Sequence, residues 1–125
     1  MEKSIRVLVA NHPRLMRESV LTTFADQPDI EIVGEVADES EISESVKRTL
    51  PNVVVIALDE PGIRPLICDV LLREHPEVRV IAVAPDKNYV VHYWATFEIL
   101  SDNIEASEEG MLGATRRNLV VKSVN

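Results

Sequence analysis

The residues that bear most directly on chemistry lie around one apolar segment, Pro51 to Gly62. Val53 to Ile56 is a β-branched run without polar alternation, which is typical of a buried central strand. A Pro-Gly turn follows it, and this frame suggests a phosphate-accepting site, because a carboxylate at the end of such a strand could form an acyl phosphate. The residue at that point is Ala57. A methyl group cannot accept a phosphoryl group.

Two aspartates are alternative acceptors. Asp59 lies two residues beyond Ala57, and Asp86 follows a second apolar run, Val78 to Val83. We interpret Asp59 as a solvated turn residue and Asp86 as a helix N-cap, an ordinary role for Asp. A displaced acceptor at Asp59 stays open as an alternative.

His12 and Cys68 are further candidates for chemistry. His12 could be a ligand, a phosphohistidine or a pH sensor, since the ordinary pKa of His is near 6.5, but we favour a partly exposed loop residue beside Pro13. Cys68 and Arg73 are one residue short of the C-x5-R spacing of cysteine phosphatases and fall in a predicted helix. We therefore favour a core thiol, and a single cysteine excludes an intrachain disulfide.

Composition excludes several classes of protein. The chain has 125 residues, 46% of them hydrophobic, which suits one soluble domain over residues 1–118 with a tail at 119–125. We expect a cytoplasmic protein without a membrane span or secretory leader. A net charge of −8 argues against direct nucleic-acid binding. Because the sequence has no glycine-rich phosphate loop, a nucleotide-binding enzyme is disfavoured.

Strand-like and helix-like segments alternate, which predicts βαβ units around a parallel sheet. The predicted strands cover residues 5–10, 30–36, 53–56, 78–83 and 96–100, and the predicted helices cover residues 13–26, 39–49, 66–75, 89–94 and 107–118. This describes an α/β, flavodoxin-like, doubly wound sheet of five parallel strands in the order 2-1-3-4-5, with helices on both faces. Ligands of such folds lie at the carboxyl ends of the strands.

Four segments carry a more specific likeness: Ala10 to Pro13, Pro51 to Gly62, Val78 to Ala84, and Glu105 to Glu109. Over about residues 4–117 they resemble the CheY-like receiver domain of bacterial two-component response regulators. The likeness is closest to receivers attached to LuxR-type helix-turn-helix effectors. It is weakest over residues 89–103.

In that family two acidic residues hold Mg²⁺, an Asp takes the phosphoryl group, and a Thr or Ser and a Lys complete the site. The resemblance places the acidic pair on Ala10 and Asn11, the acceptor on Ala57, the hydroxyl on Ala84 and the Lys on Ile104. Methyl groups supply neither a nucleophile nor charge stabilisation, and one Asn poorly replaces two carboxylates for Mg²⁺. We therefore expect a degenerate pocket with no catalytic residue, metal or cofactor.

Tyr89, Tyr93, Trp94 and Phe97 concentrate aromatic residues where the receiver family forms its output and dimer surface. Tyr and Trp carry interface energy when a partner buries them; filling a core gap is the alternative, and both stay open.

We therefore expect a stand-alone receiver-like domain that acts in signal transduction or transcriptional regulation through phosphorylation-independent protein contacts and is not an enzyme. Its partner is an unidentified protein, and a homodimer through the aromatic face is one option. The main alternative is a small molecule bound in the neutral pocket near Asn11, Ala57 and Ala84.

Overall fold

One six-stranded sheet organises the computed structural model, which describes residues 4–60, 62–84, 89–96 and 99–117. The strands are β1 (Ile5–Val9), β2 (Ile30–Glu35), β3 (Val53–Ala57), β4 (Arg79–Ala84), β5 (Tyr89–Ala95) and β6 (Ile99–Ile104). The helices are α1 (Arg14–Ala25), α2 (Ile42–Thr49), α3 (Leu66–Glu74) and α4 (Glu108–Arg116), and a short 3-10 turn at Glu39–Glu41 precedes α2.

The sheet is parallel over its first half and antiparallel over its second. Its strand order is β2-β1-β3-β4-β5-β6. β1 pairs in parallel with β2 and β3, and β3 pairs in parallel with β4. β5 is antiparallel to both of its neighbours. The predicted α/β class is therefore confirmed, whereas the prediction of five strands, all parallel, is wrong.

Helices cover both faces of the sheet, and alternate residues of each strand point to opposite faces. Leu8, Val54 and Ile56 pack in one cluster with residues of α2 and α3. Val9 and Val55 pack in the other cluster with residues of α1 and α4. All five residues of β3 are buried, as expected for a strand covered on both faces.

The predicted helix at residues 89–94 is a strand, β5. Only four residues separate the end of β4 at Ala84 from Tyr89, whereas a parallel crossover needs a dozen or more. β-branched and aromatic residues dominate the segment, and these residues favour strands. β5 therefore returns directly alongside β4, with Val83 opposite Val90.

The predicted fifth strand lies further along the chain than expected. Residues 96–100 overlap only the start of β6, which pairs with β5 and not with β4. The last helix begins at Glu108, after Ser107, whose side chain accepts a hydrogen bond of 3.0 Å from the amide of Gly110. Phe97, Asp86, Asn118 and the predicted tail lie outside the described residues.

Gly110 and Gly113 in α4 have different surroundings. A Cβ atom added to Gly110 would overlap the backbone carbonyl of Glu105, whereas one added to Gly113 would meet nothing within 4 Å. The close approach of residue 105 to α4 therefore requires glycine at position 110.

We expect Gly110→Ala to lower the free energy of unfolding by about 1–3 kcal/mol, because the added methyl group must displace backbone. The matched variant Gly113→Ala should raise it by about 0.5–1 kcal/mol through helix propensity and chain entropy. Urea unfolding of both variants measures the difference. Equal effects of the two substitutions would contradict the tight contact at Gly110.

Candidate functional site

Four of the site residues predicted from the sequence lie together at the carboxyl ends of neighbouring strands. Ala10 and Asn11 follow β1, Ala57 ends β3, and Ala84 ends β4. The amide of Ala10 donates a 2.7 Å hydrogen bond to the carbonyl of Val55, which extends the ladder to the end of the strands. The side chains that meet at these three strand ends are uncharged.

Ile104 shares this edge of the sheet but lies further away than a five-stranded sheet would place it. Two antiparallel steps make β6 run in the same direction as β4, and β5 lies between them. Since neighbouring strands are about 4.8 Å apart, position 104 is shifted outward by roughly one such spacing. The structure therefore brings Ala10, Asn11, Ala57 and Ala84 together and leaves Ile104 apart.

Asn11 is the polar residue enclosed at these strand ends. It is 0% exposed, and neither its side-chain nitrogen nor its side-chain oxygen has a hydrogen-bond partner among the described residues. An unpaired buried polar group costs about 1–3 kcal/mol. Its backbone carbonyl accepts a 3.4 Å hydrogen bond from Arg17 Nη1, while Arg17 Nε contacts Glu35 Oε1 at 2.9 Å. Arg17 thus connects the loop after β1 with the end of β2.

His12 and Asp59 face each other outside these strand ends. His12 Nε2 lies 3.8 Å from Asp59 Oδ1, and the Asp59 side chain is 78% exposed. This separation is too long for a hydrogen bond, and exposure weakens the charge interaction. Both residues are exposed, and the solvated environment of Asp59 agrees with a turn residue.

Cys68 is a core residue, as predicted. It is 0% exposed and packs among the residues of the α2 and α3 side of the sheet. Burial raises the pKa of its thiol to about 12, and the nearby Asp69 carboxylate adds to the increase. The thiol is therefore neutral and enclosed, contrary to the needs of a nucleophile.

The aromatic residues do not share one face. Tyr89 and Tyr93 point to the α2 and α3 side of the sheet, where Tyr93 is only 6% exposed. Trp94 follows Tyr93 directly in a strand, so its side chain points to the opposite side, where it is half-buried. Tyr93 thus fills the core, and the strand places Tyr93 and Trp94 on opposite sides, so they do not form the single aromatic surface that the resemblance implied.

A group of residues that the sequence analysis missed lies between β5, β6 and α4. His92 is 0% exposed, and both ring nitrogens are without a hydrogen-bond partner among the described residues. Burial lowers the pKa of His92 to about 4, and Arg79 contributes to the decrease. His92 lies opposite Asp102 in β6. The Asp102 carboxylate accepts a 2.8 Å hydrogen bond from Arg117. The imidazole ring is 5.4 Å from the ring of Trp94 between centroids.

Arg79 attaches the end of α4 to the sheet beside this group. Its Nη2 donates to the carbonyl of Thr115 at 2.9 Å, and its Nη1 donates to the carbonyl of Ala114 at 3.1 Å. The last carbonyls of a helix lack partners within the helix, so this arginine satisfies them. If the sequence pattern over residues 89–104 had been read as two antiparallel strands, it would also have predicted that His92 lies opposite Asp102.

Neither a metal-binding group nor a membrane helix is found in the described ranges. Those residues contain no cluster of three or more His, Cys, Asp or Glu side chains placed to hold a metal ion. None of the helices found there combines the length and apolar character needed to cross a bilayer.

Comparisons with known proteins agree with the fold. No protein-family model matches the chain. It is 34% identical over 80 residues to the response regulator GacA of Pseudomonas viridiflava, covering 63% of this chain and 37% of that protein. It is 26% identical over 98 residues to the transcriptional regulatory protein DegU of Brevibacillus brevis, covering 76% of this chain and 42% of that protein. The chain thus spans less than half the length of either regulator.

A solved structure gives the same result. The response regulator domain of Thermotoga maritima CheB superposes with a TM-score of 0.56 at 28% identity, covering 66% of this chain and 61% of that chain. The fold and these likenesses together support a receiver-type domain with the CheY-like α/β architecture. In this chain the sheet has four parallel strands followed by the antiparallel β5 and β6.

Acid should destabilise the protein through His92. The folded state holds His92 neutral down to a pKa of about 4, whereas the unfolded chain takes up a proton below about pH 6.5. The unfolded state therefore binds more protons between these values, and stability falls as the pH decreases. Between pH 7 and 4.5, His92 should account for a loss of roughly 2–3 kcal/mol in the free energy of unfolding.

Urea unfolding at both pH values tests this with His92→Phe, which keeps an aromatic ring and removes the titrating group. The acid-induced loss should be smaller in this variant than in the wild type by that amount. The exposed His12 supplies the control His12→Gln, which should lose as much stability as the wild type. An unchanged loss in His92→Phe would contradict the burial of a neutral His92.

Proposed function

We propose that this chain is a receiver-like signalling domain that acts through protein contacts and is not switched by phosphorylation. The observation that carries the proposal is the set of side chains at the strand ends. Ala57 and Ala84 end β3 and β4 with methyl groups, and Ala10 and Asn11 follow β1. Acyl phosphate formation requires a carboxylate nucleophile, and charge stabilisation requires a cation.

The position of β6 supports the same proposal. The Lys position assigned by resemblance falls on Ile104, which is apolar and separated from β4 by β5. The backbone of a lysine at position 104 would lie roughly one strand spacing, about 5 Å, further from Ala57 than in a five-stranded sheet. A single substitution at position 57 would therefore not rebuild the site.

The outer edge of β6 is the surface that best fits a protein contact. In the described part of the chain, no strand pairs with that edge. An exposed edge can pair with another chain unless charges or proline protect it. At the opposite edge, β2 carries the exposed Glu31 and Glu35, whereas the exposed residues of β6 are the uncharged Leu100, Ser101 and Asn103, and its one charged residue, Asp102, is ion-paired with Arg117.

An apolar pair lies on the same surface. Trp94 and Leu100 are directly opposite each other on β5 and β6, and Leu100 is 37% exposed. Cross-strand pairs of this type present a continuous apolar area, and Trp is a common anchor of protein interfaces. Contact with a regulatory protein or with a second copy of this chain is therefore proposed to involve the Trp94 and Leu100 pair.

Two alternatives from the sequence remain predictions. A small molecule could occupy the neutral pocket, for which the enclosed and unpaired Asn11 amide is the relevant feature. A displaced acceptor at Asp59 would instead keep phosphoryl chemistry. The exposed position of Asp59, beside His12 and not beside a lysine or metal cluster of the described residues, gives that alternative little support.

Incubation with acetyl phosphate and Mg²⁺, followed by intact mass measurement, tests the absence of phosphorylation. We expect the mass to remain unchanged, since no carboxylate lies at the end of β3. An ordinary receiver with its aspartate in the same reaction shows that the reagent is active. A stable added phosphoryl group that disappears in Asp59→Asn would establish the displaced acceptor and contradict the proposal.

Affinity capture from the native cell tests the contact surface. Trp94→Ser with Leu100→Ser should lose partners that the wild-type bait retains, because the substitutions remove the apolar pair. Leu15 and Leu66 are 76% and 83% exposed elsewhere, so Leu15→Ser with Leu66→Ser is the matched control and should retain those partners. Sedimentation of the purified variants shows whether the partner is a second copy. Identical partners and sedimentation for all three baits would exclude this surface.

A further inference from the structure

A cavity of about 190 Å³ lies between α1, the end of β4, the start of β5 and the first turn of α4. It shares only Ala84 with the degenerate site described above. Met16, Ser19 and Thr23 line it from one face of α1, and Met111 lines it from α4. The cavity is therefore a separate feature of the fold.

Small side chains open this space. Ala84 ends β4, and Ala106 lies two residues before α4 begins. Around them Val83, Val90 and Met111 are each less than 10% exposed, so the floor of the cavity is buried and apolar. A cavity of about 150 Å³ in a protein core can bind benzene. The volume found here is therefore sufficient for a molecule built on one small ring.

Polar groups line the cavity from α1 and from the start of α4, and Tyr89 lines it from β5. Thr23 Oγ1 donates to the carbonyl of Ser19 at 3.1 Å and lies 3.4 Å from Glu108 Oε2. Ser107 also lines the cavity, with its oxygen already accepting from the amide of Gly110. Hydroxyl groups both donate and accept, whereas a carboxylate only accepts.

A carboxylate lies on the α4 side of the cavity. Glu108 is the charged residue among the described lining residues, and no lysine, arginine or histidine accompanies it there. The helix terminus does not reverse this, because Ser107 caps α4 and Glu108 and Glu109 both occupy its first turn. A carboxylate ligand would meet like charge, while an ammonium group could pair with Glu108.

We propose that this cavity binds a small neutral or cationic molecule that carries an apolar ring and a hydrogen-bond donor. The ring lies on the floor formed by Val83, Val90 and Met111, and the donor reaches the Glu108 carboxylate. The proposal does not depend on the proposed function, since neither Ala57 nor Asn11 lines the cavity.

Methionine methyl NMR of the full chain with benzylamine, benzyl alcohol and benzoate tests the proposal. The chain has three methionines, and two of them, Met16 and Met111, line the cavity. Benzylamine and benzyl alcohol should shift the Met16 and Met111 signals saturably at up to about 10 mM, a concentration suited to fragment-sized affinities. Benzoate should bind several-fold, about fivefold, more weakly than benzylamine, because Glu108 is exposed and its charge is partly screened.

Three variants separate this site from nonspecific binding. Glu108→Gln should weaken benzylamine binding by about two- to fivefold, as expected for an exposed charge, with little effect on benzyl alcohol. Glu109→Gln changes the net charge and the first turn of α4 equally but lies outside the cavity, so it should bind like the wild type. Ala106→Leu should fill the space and abolish binding of both compounds; if it does not fold, the two glutamine variants still provide the test.

The proposal is wrong if neither Met16 nor Met111 responds to any probe at these concentrations. Binding of benzoate as tight as that of benzylamine would contradict the role of Glu108. Equal losses in Glu108→Gln and Glu109→Gln would likewise show that the effect is one of overall charge and not of this cavity.

Discussion

The reversal of the chain between Ala84 and Tyr89 constrains everything that follows it. Four residues cannot carry a crossover helix back to the start of the sheet, so β5 must return antiparallel to β4. β6 then takes the outer edge, and its free side has no neighbour among the described strands. Compared with the predicted five-stranded sheet, the fold therefore has no helix between β4 and β5, has an extra edge strand, and places position 104 further from Ala57.

The same hairpin determines the environment of its own side chains. Because alternate residues of β5 face opposite sides, Tyr93 enters the core beside α3 while His92 and Trp94 face the other layer. Arg79 holds the end of α4 over that layer by its carbonyls. The enclosure of a neutral His92 between them links the stability of this half of the molecule to pH.

Small, uncharged side chains at the strand ends shape two features of this edge of the sheet. Ala84 stands where the resemblance expects a hydroxyl, and its methyl group is also part of the wall of the cavity beside α1 and α4. Because Ala10, Asn11, Ala57 and Ala84 carry no charge, they exert no like-charge repulsion on one another. Asn11 is the exception, since its amide is enclosed there without a partner among the described residues.

The sequence alone determined the first half of the fold and the chemistry absent from the strand ends. Residues 53–56 are apolar throughout because helices cover both faces, and the predicted helix at 13–26 corresponds to α1. That positions 57 and 84 carry methyl groups follows from the sequence itself and does not depend on how the chain folds. Only the tertiary structure decided that residues 89–94 form a strand, that His92 is buried opposite Asp102, and that a cavity opens beside Glu108. These features depend on pairing and packing between segments distant along the chain, and such contacts override local periodicity.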